Sequence, residues 1–250
     1  MMVAVSTGQY WVTSSGTVQA IARRDPEAAR LTFARPTGIV LGGWPGAMHG
    51  QTWASCAIFE ADLAADRISA EVRAVMYDPE GWEHTPLAER QDPVASMHRF
   101  AMLARERDLF TIVTPHPGLV VVPGTMYAPG PGESEEEAYV RSGISAEAAR
   151  FADLTEVQGQ RLQRDPAEYR SFVARTAAQA RRSNPSVLVL SGLSTYPGYP
   201  ATVDMLLAAW ESVRDVVDGH YLSLNRRRNP DVATRFLSLV SKSGEESRAG

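Results

Sequence analysis

The chain has almost no lysine and almost no cysteine. Lys242 is its one lysine, every other member of the 25 Lys and Arg residues being arginine, and Cys56 is its one cysteine. A single cysteine excludes an internal disulfide and a multi-cysteine zinc site. With only His49 as a nearby histidine, Cys56 reads as a small buried apolar side chain. A single lysine in a polar tail argues against Schiff-base chemistry and against lysine-based phosphate binding. An excess of one charge is lacking too: the formal net charge is −4, with both signs interspersed. The basic face of a nucleic-acid binder is therefore not expected, and Arg226, Arg227 and Arg228 read as a solvated loop or helix start. No apolar run approaches the ~18 residues of a membrane span. The opening MMVAVSTGQYWV lacks a basic stretch followed by a long apolar one, so a cytoplasmic location is expected. Neither G-x-G-x-x-G nor G-x-x-x-x-G-K-[ST] occurs, which argues against dinucleotide and P-loop phosphate binding.

What is present is a chain 44% hydrophobic, with short apolar runs alternating with helical stretches. Strands are expected at 10–14, 37–43, 73–78, 109–115, 151–158, 186–191 and 217–224. Residues 44–51 (WPGAMHGQ) read as a loop, and 52–66 as a helix or as a strand followed by one. Asp25-Pro26, Asp92-Pro93 and Asp165-Pro166 read as helix N-caps with proline in the first turn. Residues 133–150 read as helical, broken at Gly143 and capped again at Ser145. The Gly- and Pro-rich stretch 118–132 reads as a loop covering the site. Continuous apolar strands imply a sheet covered on both faces. The expected fold is α/β, a (β/α)8 TIM-like barrel with one strand missing or irregular. It forms a single domain over 1–250, with 241–250 as a frayed polar tail. A doubly wound open sheet is the runner-up.

In such a barrel the site lies at the carboxyl ends of the strands. The stretch 73–86, RAVMYDPEGWEHTP, runs an apolar strand into Asp78 and Glu80 across Pro79, which cannot continue a sheet ladder. Strand alternation puts Asp78 on the same face as Met76, and Leu154, Glu156 and Gln158 on one face of theirs. Glu80, Asp78, Glu156 and His116, bracketed by prolines, are the candidate catalytic residues. Trp44, Trp82, His84, Gln158, Ser191, Tyr221 and Asn225, at strand ends or in the loops after them, are the candidate substrate-binding residues. Tyr127, Tyr196 and Tyr199 are further loop aromatics that could stack on a ligand.

Asp78-Pro79-Glu80 at a strand end resembles the close of the acidic motif of chitinase-type, TIM-barrel glycoside hydrolases. Arg73 and Met76 stand in the region where that family carries earlier aspartates. The resemblance implies Glu80 as the acid and Asp78 as the residue that orients an acyl-amino group of the substrate.

Three functions remain open on the sequence. The first is a glycosidase-like hydrolase of a small sugar-containing or polar metabolite. It needs no cofactor, and Asp78 or Glu156 serves as its second carboxylate. The second is a Mg2+- or Mn2+-dependent lyase, cyclase or isomerase using Asp78, Glu80 and Glu156 as hard oxygen ligands. The third is a barrel that binds a ligand without turning it over. In each the partner is a small molecule, not nucleic acid or a membrane.

Overall fold

A computed structural model of the chain describes residues 9–196, 202–224 and 229–249, with side chains to residue 241. Asn225, Tyr199 and the arginines at 226–228 lie outside the described residues. Eight strands close into a barrel in chain order: β1 (Tyr10–Ser14), β2 (Gly38–Leu41), β3 (Met48–Trp53), β4 (Ala74–Tyr77), β5 (Phe110–Val113), β6 (Leu154–Val157), β7 (Leu188–Ser194) and β8 (Gly219–Ser223). Each pairs in parallel with the next, and β8 with β1. The helices α1 (Ser15–Ala22), α2 (Pro26–Phe33), α3 (Cys56–Ala64), α4 (Leu87–Gln91), α5 (Pro93–Arg105), α6 (Glu135–Ser142), α7 (Ile144–Phe151), α8 (Pro166–Ser183), α9 (Val203–Val213) and α10 (Pro230–Ala249) follow the strands.

Alternation along each strand sorts the side chains into two cores. Tyr10, Val12, Ile39, Leu41, Ala74, Met76, Ile112, Leu154 and Leu190 fill the barrel. Their outward neighbours, such as Trp11, Val40, Val75, Tyr77, Val113, Val157 and Val189, pack under the helices. The three Asp-Pro dipeptides are N-caps: Asp25, Asp92 and Asp165 accept from Ala28, Ala95, and both Ala167 and Glu168 backbone N–H groups. Each such cap stabilises its helix by ~1 kcal/mol.

The structure departs from the sequence reading in four places. The strand missing from the sequence count is β3, MHGQTW, which spans the end of the expected loop 44–51 and the first two residues of 52–66, the stretch expected to be a helix or a strand followed by one. It hides because only residues 42–47 separate it from β2, with no intervening helix, and because its side chains are mixed in polarity. Gly50 takes an inward place where a Cβ would stand 2.9 Å from Leu41 and 3.3 Å from Ile39, so the neighbours fill the space a side chain would occupy. Second, α7 begins directly after Gly143, and Ser145 is a buried residue within it rather than its cap. Third, β7 continues to Ser194, beyond the expected end at Ser191. Fourth, α10 runs to Ala249, through the stretch expected to fray.

Among the described residues no helix is long and apolar enough to cross a membrane. The stretch 118–132 starts in a 3-10 turn (Pro117–Val121) with Leu119, Val120 and Val122 buried. Gln91 Nε2 donates to Pro123 O at 2.8 Å. Its first half is thus part of the packed core, not a free lid.

Candidate active site

The end of β4 is held from three sides. Asp78 N donates to Trp53 O at 2.9 Å, and Glu80 N to Thr85 Oγ1 at 3.0 Å. His116 N donates to Pro79 O at 3.1 Å, binding the exit of β5 to that of β4. Pro79 ends the ladder, and the chain leaves with Asp78 following the inward Met76.

Asp78 Oδ1 accepts from Thr114 Oγ1 and from Gln158 Nε2, each at 2.9 Å. Gln158 Nε2 also donates to Thr114 O at 2.7 Å. One amide thereby joins the ends of β4, β5 and β6. Burial raises the Asp78 pKa, while the bonds from Thr114 and Gln158 pull it back. Glu80 is pushed up to about 7, first by burial and then by the charge of Asp78. The Trp82 ring meets His84 edge-on at 4.8 Å and stays 52% exposed.

Glu156 points into the same region from β6 and is 2% exposed. Its pKa stands well above the carboxylate range, through burial first and then through Asp78 and Glu80. Gln160 Nε2 donates to its Oε1 at 3.1 Å. Tyr221, half-buried on β8, is the fourth member. Burial raises its phenol pKa, as do the charges of Glu156, Asp78 and Glu80, and Tyr196 adds to the shift. Room for this cluster comes from β7, where a Cβ on Gly192 would stand 2.5 Å from Glu156 Oε1 and 2.3 Å from Gln160 Nε2.

The structure thus brings together Asp78, Glu80, Glu156, Gln158 and Tyr221. It adds Thr114, Gln160 and Gly192, whose roles depend on contacts across strands. Five other candidates stand elsewhere. Ser191 is a mid-strand residue facing the helices, where its Oγ meets His220 Nδ1 at 2.8 Å. His220 is buried there against the rings of Trp11 and Trp210. The early strand end in the sequence reading put Ser191 at the mouth; alternation turns it outward.

His116 uses its Nδ1 to accept from Gly118 N at 2.9 Å, capping the turn. Burial, then Arg161, pushes its pKa down to about 4, and the acid it feels is Glu136. Its backbone holds the site while its ring serves the turn. Trp44 packs against the outer core, and His84 is exposed beside Trp82.

Among the described residues no three His, Cys, Asp or Glu side chains are grouped to hold a metal ion. Asp78, Glu80 and Glu156 therefore do not form the ligand set that the lyase reading requires. A surface depression of about 670 Å³ lined by Gly130, Glu133, Arg141 and Arg175 lies outside the barrel and includes none of Asp78, Glu80 and Glu156. Cys56 is buried, its thiol pushed up to about 12 by burial and by Glu89, which leaves no thiolate for nucleophilic chemistry.

No protein-family model matches the sequence, and no curated protein matches it. Solved structures similar to it include a Schiff-base-forming fructose-1,6-bisphosphate aldolase, 17% identical over 93% of this chain and 94% of that one, with a TM-score of 0.49. The spore cortex-lytic enzyme SleL of Bacillus megaterium QM B1551 is 9% identical over 96% of this chain and 76% of its own, with a TM-score of 0.46. The α-L-fucosidase AlfC is 8% identical over 97% and 96%, with a TM-score of 0.27. At these identities and scores the similarities say nothing about chemistry.

Proposed function

We propose that this barrel is an acid/base enzyme, a hydrolase of glycosidic bonds in a small sugar-containing or polar molecule, with Glu80 as its general acid. The observation that carries the reading is the Glu80 carboxyl, pushed up to about 7 at the exit of β4. An acid with that value is part protonated at neutral pH and can both give and recover a proton. In the reaction Glu80 protonates the departing oxygen as the glycosidic C–O bond breaks, the bonding pair leaving with that oxygen. Water supplies the new hydroxyl at carbon, and its remaining proton returns to Glu80. Asp78 has one oxygen fixed by Thr114 and Gln158. Its other oxygen is left to orient an N–H or O–H of the substrate, the role implied by the chitinase-type resemblance. Schiff-base cleavage like that of the similar aldolase does not suit the chain, whose one lysine lies in α10.

A panel of nitrophenyl glycosides, N-acetylhexosaminides among them, tests the reading with and without chelator. Chelator-insensitive release of nitrophenol, abolished by Glu80→Gln, is the expected result. Sugar binding that survives Glu80→Gln, with no turnover by the native chain, would instead identify a non-catalytic binding barrel.

A further inference from the structure

The three acids at the mouth are supplied with donors unequally. Asp78 has two hydrogen-bond donors on one oxygen. Glu156, the most deeply buried of the three, has one, the neutral amide of Gln160. Among the described residues, the groups that face Glu156 come from β4, β8, α6 and α8. They are the carboxylates of Asp78 and Glu80 from β4, the phenol of Tyr221 from β8, and the phenols of Tyr139 and Tyr169 from α6 and α8. None of these is a cation. Tyr139 and Tyr169 also spend their hydroxyl protons elsewhere, on Pro115 O and Gly192 O.

An ionised Glu156 would meet two like charges with one neutral donor to offset its lost hydration. A protonated Glu156 keeps the bond from Gln160 and gains a donor of its own. We propose that Glu156 serves the site as a neutral carboxylic acid, a fixed hydrogen-bond donor to an oxygen of the substrate, and not as the second carboxylate of the acid/base pair. Gly192 leaves the space in which this acid and Gln160 meet. The raised pKa of Glu156 agrees with that geometry. The substrate contact rests on the acid/base reading above; the protonation does not.

Infrared difference spectra of the whole protein, native minus Glu156→Gln, test the protonation without any substrate. On the alkaline side of neutrality, where Glu80 has given up its proton, a protonated-carboxyl C=O band is expected. It should vanish in Glu156→Gln and persist in Glu80→Gln. Absence of the band, or its loss only in Glu80→Gln, would overturn the proposal.

Turnover of whichever nitrophenyl glycoside is cleaved tests the donor. Glu156→Gln keeps an N–H donor in the same shape and is expected to stay within about 10-fold of the native kcat/KM, with its pH profile unmoved. Glu156→Leu, which has no donor, is expected to lose on the order of 10²-fold. A Glu156→Gln variant as inactive as Glu80→Gln would show that Glu156 must ionise, against the proposal. Should Glu80→Gln retain full turnover while the Glu156 band is present, the acid role of Glu80 fails and the neutral Glu156 stands.

Discussion

Two buried glutamates in this chain are treated in opposite ways. Glu89, on α4, is surrounded by donors: Ser55 Oγ at 2.9 Å, Cys56 N at 2.8 Å, Ala57 N at 3.0 Å and Tyr77 OH at 2.7 Å. It clasps the start of α3 to the outward face of β4, directly behind the site. Glu156 has one donor and two carboxylates for company. A buried acid that is fully supplied with donors is a structural clasp. One left short of them and crowded by like charge keeps its proton and stands as a hydrogen-bond donor.

The contrast can be broken by substitution, and the largest effect belongs to Glu80. Glu80→Gln is expected to lower kcat on the order of 10²- to 10⁴-fold with little change in Tm. A fall in turnover that merely tracks a fall in folded protein would remove the acid role.

Next comes one isosteric change at both buried glutamates. Glu89→Gln replaces an acceptor oxygen with an NH2 facing donors, and should destabilise by ~2 kcal/mol in urea unfolding. Glu156→Gln should be neutral or slightly stabilising, since it removes an acid from a crowded site. Equal losses at the two positions would erase the distinction between them. Gly192→Ala sharpens it further, because the new Cβ meets Glu156 Oε1 and Gln160 Nε2. Overpacking should cost about 1–3 kcal/mol, and turnover should fall by about 10-fold as the pair is displaced.

The smallest expected effect is the slope of stability with pH. Glu80 and Glu156 have folded pKa values raised above their unfolded ones. Their contribution is complete below the unfolded value of about 4.3 and fades as pH rises toward the folded values, about 7 for Glu80 and well above the carboxylate range for Glu156. His116 and His220 are held down to about 4 and about 3. They contribute above the unfolded value of about 6.5, and that contribution is lost as pH falls through the folded values. Thermal melts should therefore weaken on both sides, and Glu156→Gln should flatten the alkaline side alone.

The barrel was readable because seven strands announce themselves as apolar runs bounded by Pro, Gly or charge. β3 did not, because its pattern is polar on one side and built round Gly50 on the other. Asp78 and Glu80 were readable from Pro79, and Glu156 from its alternation with Leu154 and Gln158. Ser191 and His116 went astray for a local reason. An alternating strand mis-ended by three residues presents the wrong face, and a histidine in a turn is readily spent on capping. Gln160 and Gly192 gave no signal, since their roles exist only where β6 and β7 meet. Glu89 was equally silent, its donors coming from residues 55–57 and from Tyr77.

The account turns on Glu80 holding its proton near neutrality. Carbon-13 NMR of protein labelled at the glutamate carboxyl carbons, titrated across pH and assigned by comparison with Glu80→Gln, measures that directly. The account predicts a Glu80 resonance with an apparent midpoint at about 7, shifted downward when Asp78 is replaced by Asn. A Glu80 resonance that titrates with the surface glutamates at about 4.3 and ignores Asp78→Asn would contradict it.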